Sequence, residues 1–79
     1  MRHIIVYTKK PCPLCDEALA TIKTAGRTYA LDLTVIDIDG NSELMATYGH
    51  EVPVVYIDGT RRFFGKVDRV LLNRILDQA

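Results

Sequence analysis

Two cysteines three residues apart, in Cys12-Pro13-Leu14-Cys15, sit between a β-rich run from His3 to Thr8 and a helical pattern that begins at Pro13. A fold that accommodates this chain must therefore place both thiols where a strand hands over to a helix. Two thiols at this spacing can close into a disulfide and reopen, so the motif reads as redox chemistry carried on a helix N-terminus.

The elements follow from periodicity and punctuation. Ile4, Ile5 and Val6 form a short apolar run suited to a strand covered on both faces. Cys15, Ala18, Leu19 and Ile22 then fall at i, i+3, i+4 and i+7 and draw one apolar helical stripe. Pro13 lies in the first turn and Gly26 stands at the C-terminal stop. A second strand is expected over Leu31 to Asp37, with Leu31, Leu33 and Val35 on one alternation. Asp39-Gly40-Asn41 ends it, and Asn41 is positioned to cap a short helix from Ser42 to about Tyr48, closed by Gly49.

Val52 to Ile57 reads as a third strand, Asp58-Gly59 as a tight hairpin turn, and Arg61 to Phe64 as the returning partner. The last helix is expected from about Lys66 to Asp77, with Val67, Val70, Leu71 and Ile75 facing the sheet. The order is βαβαββα, an α/β chain with no repeat or linker.

Seventy-nine residues, 48% of them hydrophobic, suit one domain, residues 1–79, with one modest core. Ten basic residues balance ten acidic ones, so no electrostatic nucleic-acid or membrane partner is announced. The apolar run Ile4 to Tyr7 is too short for a signal-peptide core or a membrane span, and a cytoplasmic location is expected. In that compartment a cycling pair of thiols is favoured over a structural staple.

The roles of the two thiols follow from their positions. A free thiol titrates near pKa ~8.5, and one at a helix N-terminus in a C-x-x-C motif falls to roughly 3.5–7.5, because unpaired N–H groups and the helix dipole stabilise the thiolate. Cys12 lies at the cap and is expected to attack; Cys15, one turn inward on the apolar stripe, is expected to resolve the mixed disulfide. Lys9 and Lys10 support a thiolate at Cys12, whereas Asp16 and Glu17 oppose it somewhat. An inert buried pair would not also bring the strand before, the proline inside and the stripe after. A zinc site would usually want four ligands, and His3 and His50 form no recognisable second pair, so no metal is expected.

Tyr7-Thr8-Lys9-Lys10-Pro11-Cys12-Pro13-Leu14-Cys15, then Val52-Pro53 at a strand start, then a hairpin with Asp58-Gly59 and a late Gly65, resembles the glutaredoxins and glutaredoxin-like proteins over nearly the whole chain. The resemblance implies a thioredoxin-like fold: a four-stranded mixed sheet, three helices and a dithiol at the start of the first helix. It also implies a cis peptide before Pro53, against the general preference for trans, with the backbone of Val52 pairing to a bound substrate. Lys9, Gly65 and Asp68 match positions that contact glutathione in the family. Asp68 has an equal reading as a favourable acid in a helix's first turn.

Four positions depart from the family pattern. Glu51 replaces a frequent threonine and brings a carboxylate to the rim, which would disfavour acidic ligands. Phe64 and Val67 replace a glycine and an aspartate, and Leu14 replaces the common tyrosine between the cysteines. Arg61 and Arg62 beside Phe63 and Phe64 fit a strand with alternating faces better than a nucleic-acid stripe. Tyr7, Tyr48 and Tyr56 are expected as core or rim aromatics, with Tyr7 close to the dithiol.

The expected function is that of a small monomeric thiol–disulfide oxidoreductase acting on disulfide-containing proteins or glutathione mixed disulfides, with no tightly bound cofactor. Its reductant would be glutathione or a donor resembling thioredoxin reductase. Two competing expectations are a glutathione-coordinated iron–sulfur cluster carrier and a non-catalytic interaction module.

Overall fold

The structure, a computed structural model, describes residues 1–78. Seven elements follow one another: β1 (Arg2–Thr8), α1 (Pro13–Ala25), β2 (Leu31–Asp37), α2 (Ser42–Tyr48), β3 (Val54–Ile57), β4 (Thr60–Phe64) and α3 (Arg69–Leu76). The sheet order is β2-β1-β3-β4. β1 pairs with β2 in parallel across the α1 crossover and with β3 antiparallel, and β3 turns back into β4. Element order and mixed sheet are those expected.

Alternation along β1 separates two apolar layers. Ile4 and Val6 join Val55, Ile57 and Phe63 on the face covered by α1, through Ala18 and Ile22, and by α3, through Leu72, Ile75 and Leu76. Tyr7 points to the other layer, where Leu44 and Tyr48 of α2 meet Ile38, Val52 and both cysteines. β1 is thus fully covered on one face and partly on the other, because the seven-residue α2 buries none of its residues completely. β2 is an edge strand. Leu31 and Leu33 pack on the core as expected, but Val35 further along is 46% exposed. No helix among the described residues is long and apolar enough to cross a membrane.

Two boundaries differ from the expectation by more than one residue. β3 starts at Val54 rather than Val52, since Pro53 has no N–H to give to a ladder. α3 starts at Arg69 rather than Lys66, because Asp68 is its N-cap: Oδ1 accepts the N–H of Val70 at 2.8 Å and of Leu71 at 3.1 Å. That shift changes the buried face. Leu72, Ile75 and Leu76 go inward, while Val70 and Leu71, expected to face the sheet, are 59% and 46% exposed. Val67 is buried, but from the loop before the helix.

The hairpin follows its sequence closely. Asp58 and Gly59 both have positive φ, 49° and 83°, as a two-residue turn between twisted strands requires. In β4 the register jumps from Phe63 opposite Val55 to Arg61 opposite Tyr56, leaving Arg62 as the extra residue of a bulge. Phe63 alone turns inward, and the two arginines face solvent, in accord with a strand having distinct faces.

Candidate redox site

β1 delivers the chain to the loop that carries the cysteines, and three contacts hold that loop. The N–H of Ile38 donates to the Thr8 carbonyl at 2.8 Å, the N–H of Lys10 donates to Asp39 Oδ2 at 3.1 Å, and Lys9 Nζ donates to the Gly49 carbonyl at 2.8 Å. The chain then enters α1 with Cys12 as N-cap in an extended conformation and Pro13 at the first helical position. Cys12 Sγ accepts the N–H of Cys15 at 3.1 Å, so a sulfur does what a serine oxygen usually does at a cap.

Cys12 and Cys15 are joined as a disulfide, with their Cα atoms 5.2 Å apart. Their surroundings differ. Cys15 is 2% exposed and packs with Ile38 and Val52, whereas Cys12 is half-buried. Beside Cys12 a hollow of about 450 Å³ is lined by Lys10, Pro11, Pro13 and Asp16. An incoming sulfur has a route to Cys12 and none of comparable openness to Cys15.

The residues assigned by resemblance to substrate or glutathione are held by the protein itself. The Val52–Pro53 peptide is cis, as the resemblance implied. The Val52 N–H donates to the Tyr48 carbonyl at 3.1 Å. Gly65, at φ 77°, donates its N–H to the carbonyls of Pro53 at 2.9 Å and Glu51 at 3.1 Å. Asp68 caps α3 and Lys9 caps the C-terminus of α2. Val52 packs in the cysteine cluster, and Gly65 is stitched to Pro53, the residue that follows it. Glu51, expected as a rim carboxylate, pairs with Arg61, whose guanidinium also lies 5.1 Å from the centroid of the exposed Phe64 ring.

Tyr48 organises this region in a way that spacing did not reveal. Its ring stacks on Tyr7 with centroids 4.4 Å apart, its hydroxyl meets that of Tyr56 at 3.1 Å, and its carbonyl accepts from Glu51 and Val52. The hydrogen bond with Tyr56, helped by partial burial, pushes the Tyr48 phenol up to about 12. The three tyrosines lie on β1, α2 and β3 and meet only in the folded chain, so no local pattern signals the cluster.

The sequence model of the glutaredoxin-like domain (DUF836) matches residues 3–77. A solution structure of protein Ne2328 from Nitrosomonas europaea superposes with TM-score 0.80 at 28% identity, over 96% of this chain and 92% of that one. An uncharacterized protein of Mycobacterium tuberculosis is 27% identical over 71 residues, 84% of this chain and 73% of its own. A malaria parasite thioredoxin-2, at 15% identity and TM-score 0.75 over 100% of this chain and 84% of that one, shares the fold, which is therefore thioredoxin-like.

Proposed function

The chain belongs to the glutaredoxin-like domain family, and from that premise we propose that it is a thiol–disulfide oxidoreductase cycling Cys12 and Cys15 between dithiol and disulfide. The observation that carries this reading is the joined pair at the start of α1, with one sulfur facing a hollow and the other sealed in the core.

In the reduced protein the Cys12 thiolate receives the N–H of Cys15 and the positive end of α1, both of which favour negative charge on sulfur. It attacks one sulfur of a substrate disulfide, forming a Cys12–substrate bond and releasing the other substrate sulfur as thiolate. Cys15, having lost its proton to solvent, attacks Cys12 Sγ; the substrate's second sulfur leaves as thiolate. The substrate gains two electrons and the protein ends in its disulfide form. A dithiol or two monothiol donors must return those electrons.

Protein disulfides are the favoured substrates and a protein dithiol the favoured donor. The N–H of Gly65 and the ammonium of Lys9, at positions that resemblance ties to glutathione, already have partners within the chain. Glutathione binding would have to displace or share them, at a cost comparable to the bonds lost. The test uses two variants with a fluorescent peptide disulfide. Cys12→Ser abolishes reduction, and Cys15→Ser accumulates the peptide on Cys12. Undiminished reduction by Cys12→Ser would refute the mechanism.

A further inference from the structure

A second surface adjoins the disulfide, and its chemistry differs from that of the rim. Two hollows lie along α1, of about 410 and 520 Å³, and both are bounded by Thr21. The first is bordered by Leu14, between the two cysteines, and by Lys66 of the loop before α3. The second lies between the C-terminal half of α1 and the outer face of α3, and is bordered by Arg69, Val70 and Arg74. Together they form one trench that leads from the disulfide motif to the far end of the α1–α3 pair.

We propose that this trench binds an acidic segment of the substrate protein flanking its reactive cysteine. The inference rests on the redox reading above and names the substrate class for it. Lys66, Arg69 and Arg74 border the trench and are in no ion pair among the described residues, whereas Arg2 and Arg61 are paired. Two acids, Glu17 and Asp77, also border it, and Asp77 accepts the Tyr29 hydroxyl at 3.4 Å, so the lining carries three cations against two carboxylates.

Further features fit a peptide in particular. Thr21 and Thr24 donate their hydroxyl hydrogens to the carbonyls of Glu17 and Ala20, so each Oγ1 retains only acceptor capacity, which suits peptide N–H groups. Val70 gives the trench an apolar contact, and its exposure is otherwise unexplained by the core. From Leu14 to Thr24 the helix rises about 15 Å, the length of about five extended residues. Acidic side chains about three to five positions from the substrate cysteine therefore reach Arg69 and Arg74.

The test has a kinetic arm and a binding arm, both on the full chain. Peptide disulfides carrying two aspartates or two lysines four and five positions from the cysteine are compared by kcat/KM. The aspartate peptide is expected to be preferred, and Arg69→Glu with Arg74→Glu to lower its kcat/KM by roughly three- to thirtyfold. Arg69→Gln with Arg74→Gln gives a smaller loss in the same direction. In the binding arm, a cysteine-free aspartate peptide shifts the amide resonances of Thr24, Thr28 and Asn73, and its lysine counterpart does not.

Equal kinetics for both peptides, or a preference untouched by the arginine variants, overturns the trench. So does an absence of aspartate-specific shifts on α1 and α3. Aspartate-specific shifts with no peptide disulfide turned over would instead defeat the redox reading and support the acidic site.

Discussion

Lys9 Nζ lies 2.8 Å from the carbonyl oxygen of Gly49 and donates to it, tying the end of β1 to the C-terminus of α2. A cation on the last carbonyls of a helix satisfies an orphan acceptor and the negative end of the dipole together. The residue that resemblance assigns to a ligand thus has a structural task. Lys9→Met is expected to lower unfolding free energy by about 1–2 kcal/mol, measured by urea denaturation. An unchanged midpoint would return Lys9 to a role in ligand contact alone.

The buried face of α3 gives a second test. Leu72 is fully buried and Leu71 is 46% exposed, although the two are neighbours. Leu72→Ala should cost about 2–5 kcal/mol through lost burial and an unfilled cavity. Leu71→Ala should cost under about 0.5 kcal/mol. Comparable losses at both positions would contradict the orientation of the helix.

That orientation also shows what the amino-acid order reveals and what it leaves open. α1, β2 and α2 are legible because each is bracketed by punctuation: Pro13 and Gly26, the turn at Asp39-Gly40, Asn41 and Gly49. In α3 two stripes compete, the expected Val67-Val70-Leu71-Ile75 and the observed Leu72-Ile75-Leu76, which share Ile75. The cap at Asp68 decides between them, since it leaves Val67 outside the helix and removes the anchor of the first stripe. For the site, the cysteine pair and Val52-Pro53 are local motifs and could be read directly. The Tyr7–Tyr48–Tyr56 cluster and the Glu51–Arg61 pair depend on how α2 and the loop after it pack on the sheet, which no single segment encodes.

Tyr48 predicts an alkaline limb. Its folded-state pKa is raised to about 12 from 10.0, chiefly by the hydrogen bond to Tyr56, so the folded protein holds the phenol proton more tightly than the unfolded chain. The associated stability is complete below pH ~10 and is lost as pH rises toward the folded value. Tyr48→Phe should flatten this decline in denaturation curves recorded from pH 9 to 12. A variant with the same slope as the parent would rule out Tyr48 as its source.

Asp58 predicts an acid limb of opposite sign. The His3 N–H donates to its Oδ1 at 2.9 Å and Arg2 pairs with Oδ2, and these hold the carboxyl below its ordinary range. Its contribution is present above the unfolded carboxylate pKa of ~3.9 and disappears as pH falls through the lower folded value. Asp58→Asn keeps an acceptor for His3 and tolerates φ 49°. It should make stability less dependent on pH in the acid range; an unaltered acid limb would assign that limb to other carboxylates.

The account depends most directly on electron transfer between Cys12 and a substrate disulfide. The decisive measurement mixes reduced protein with a peptide disulfide, quenches the reaction with acid at intervals, and weighs every species by mass spectrometry. The account predicts a transient peptide adduct on Cys12, followed by reduced peptide in equal amount to protein that has lost one hydrogen from each cysteine. Peptide that stays oxidised beside protein that keeps both thiols would contradict it.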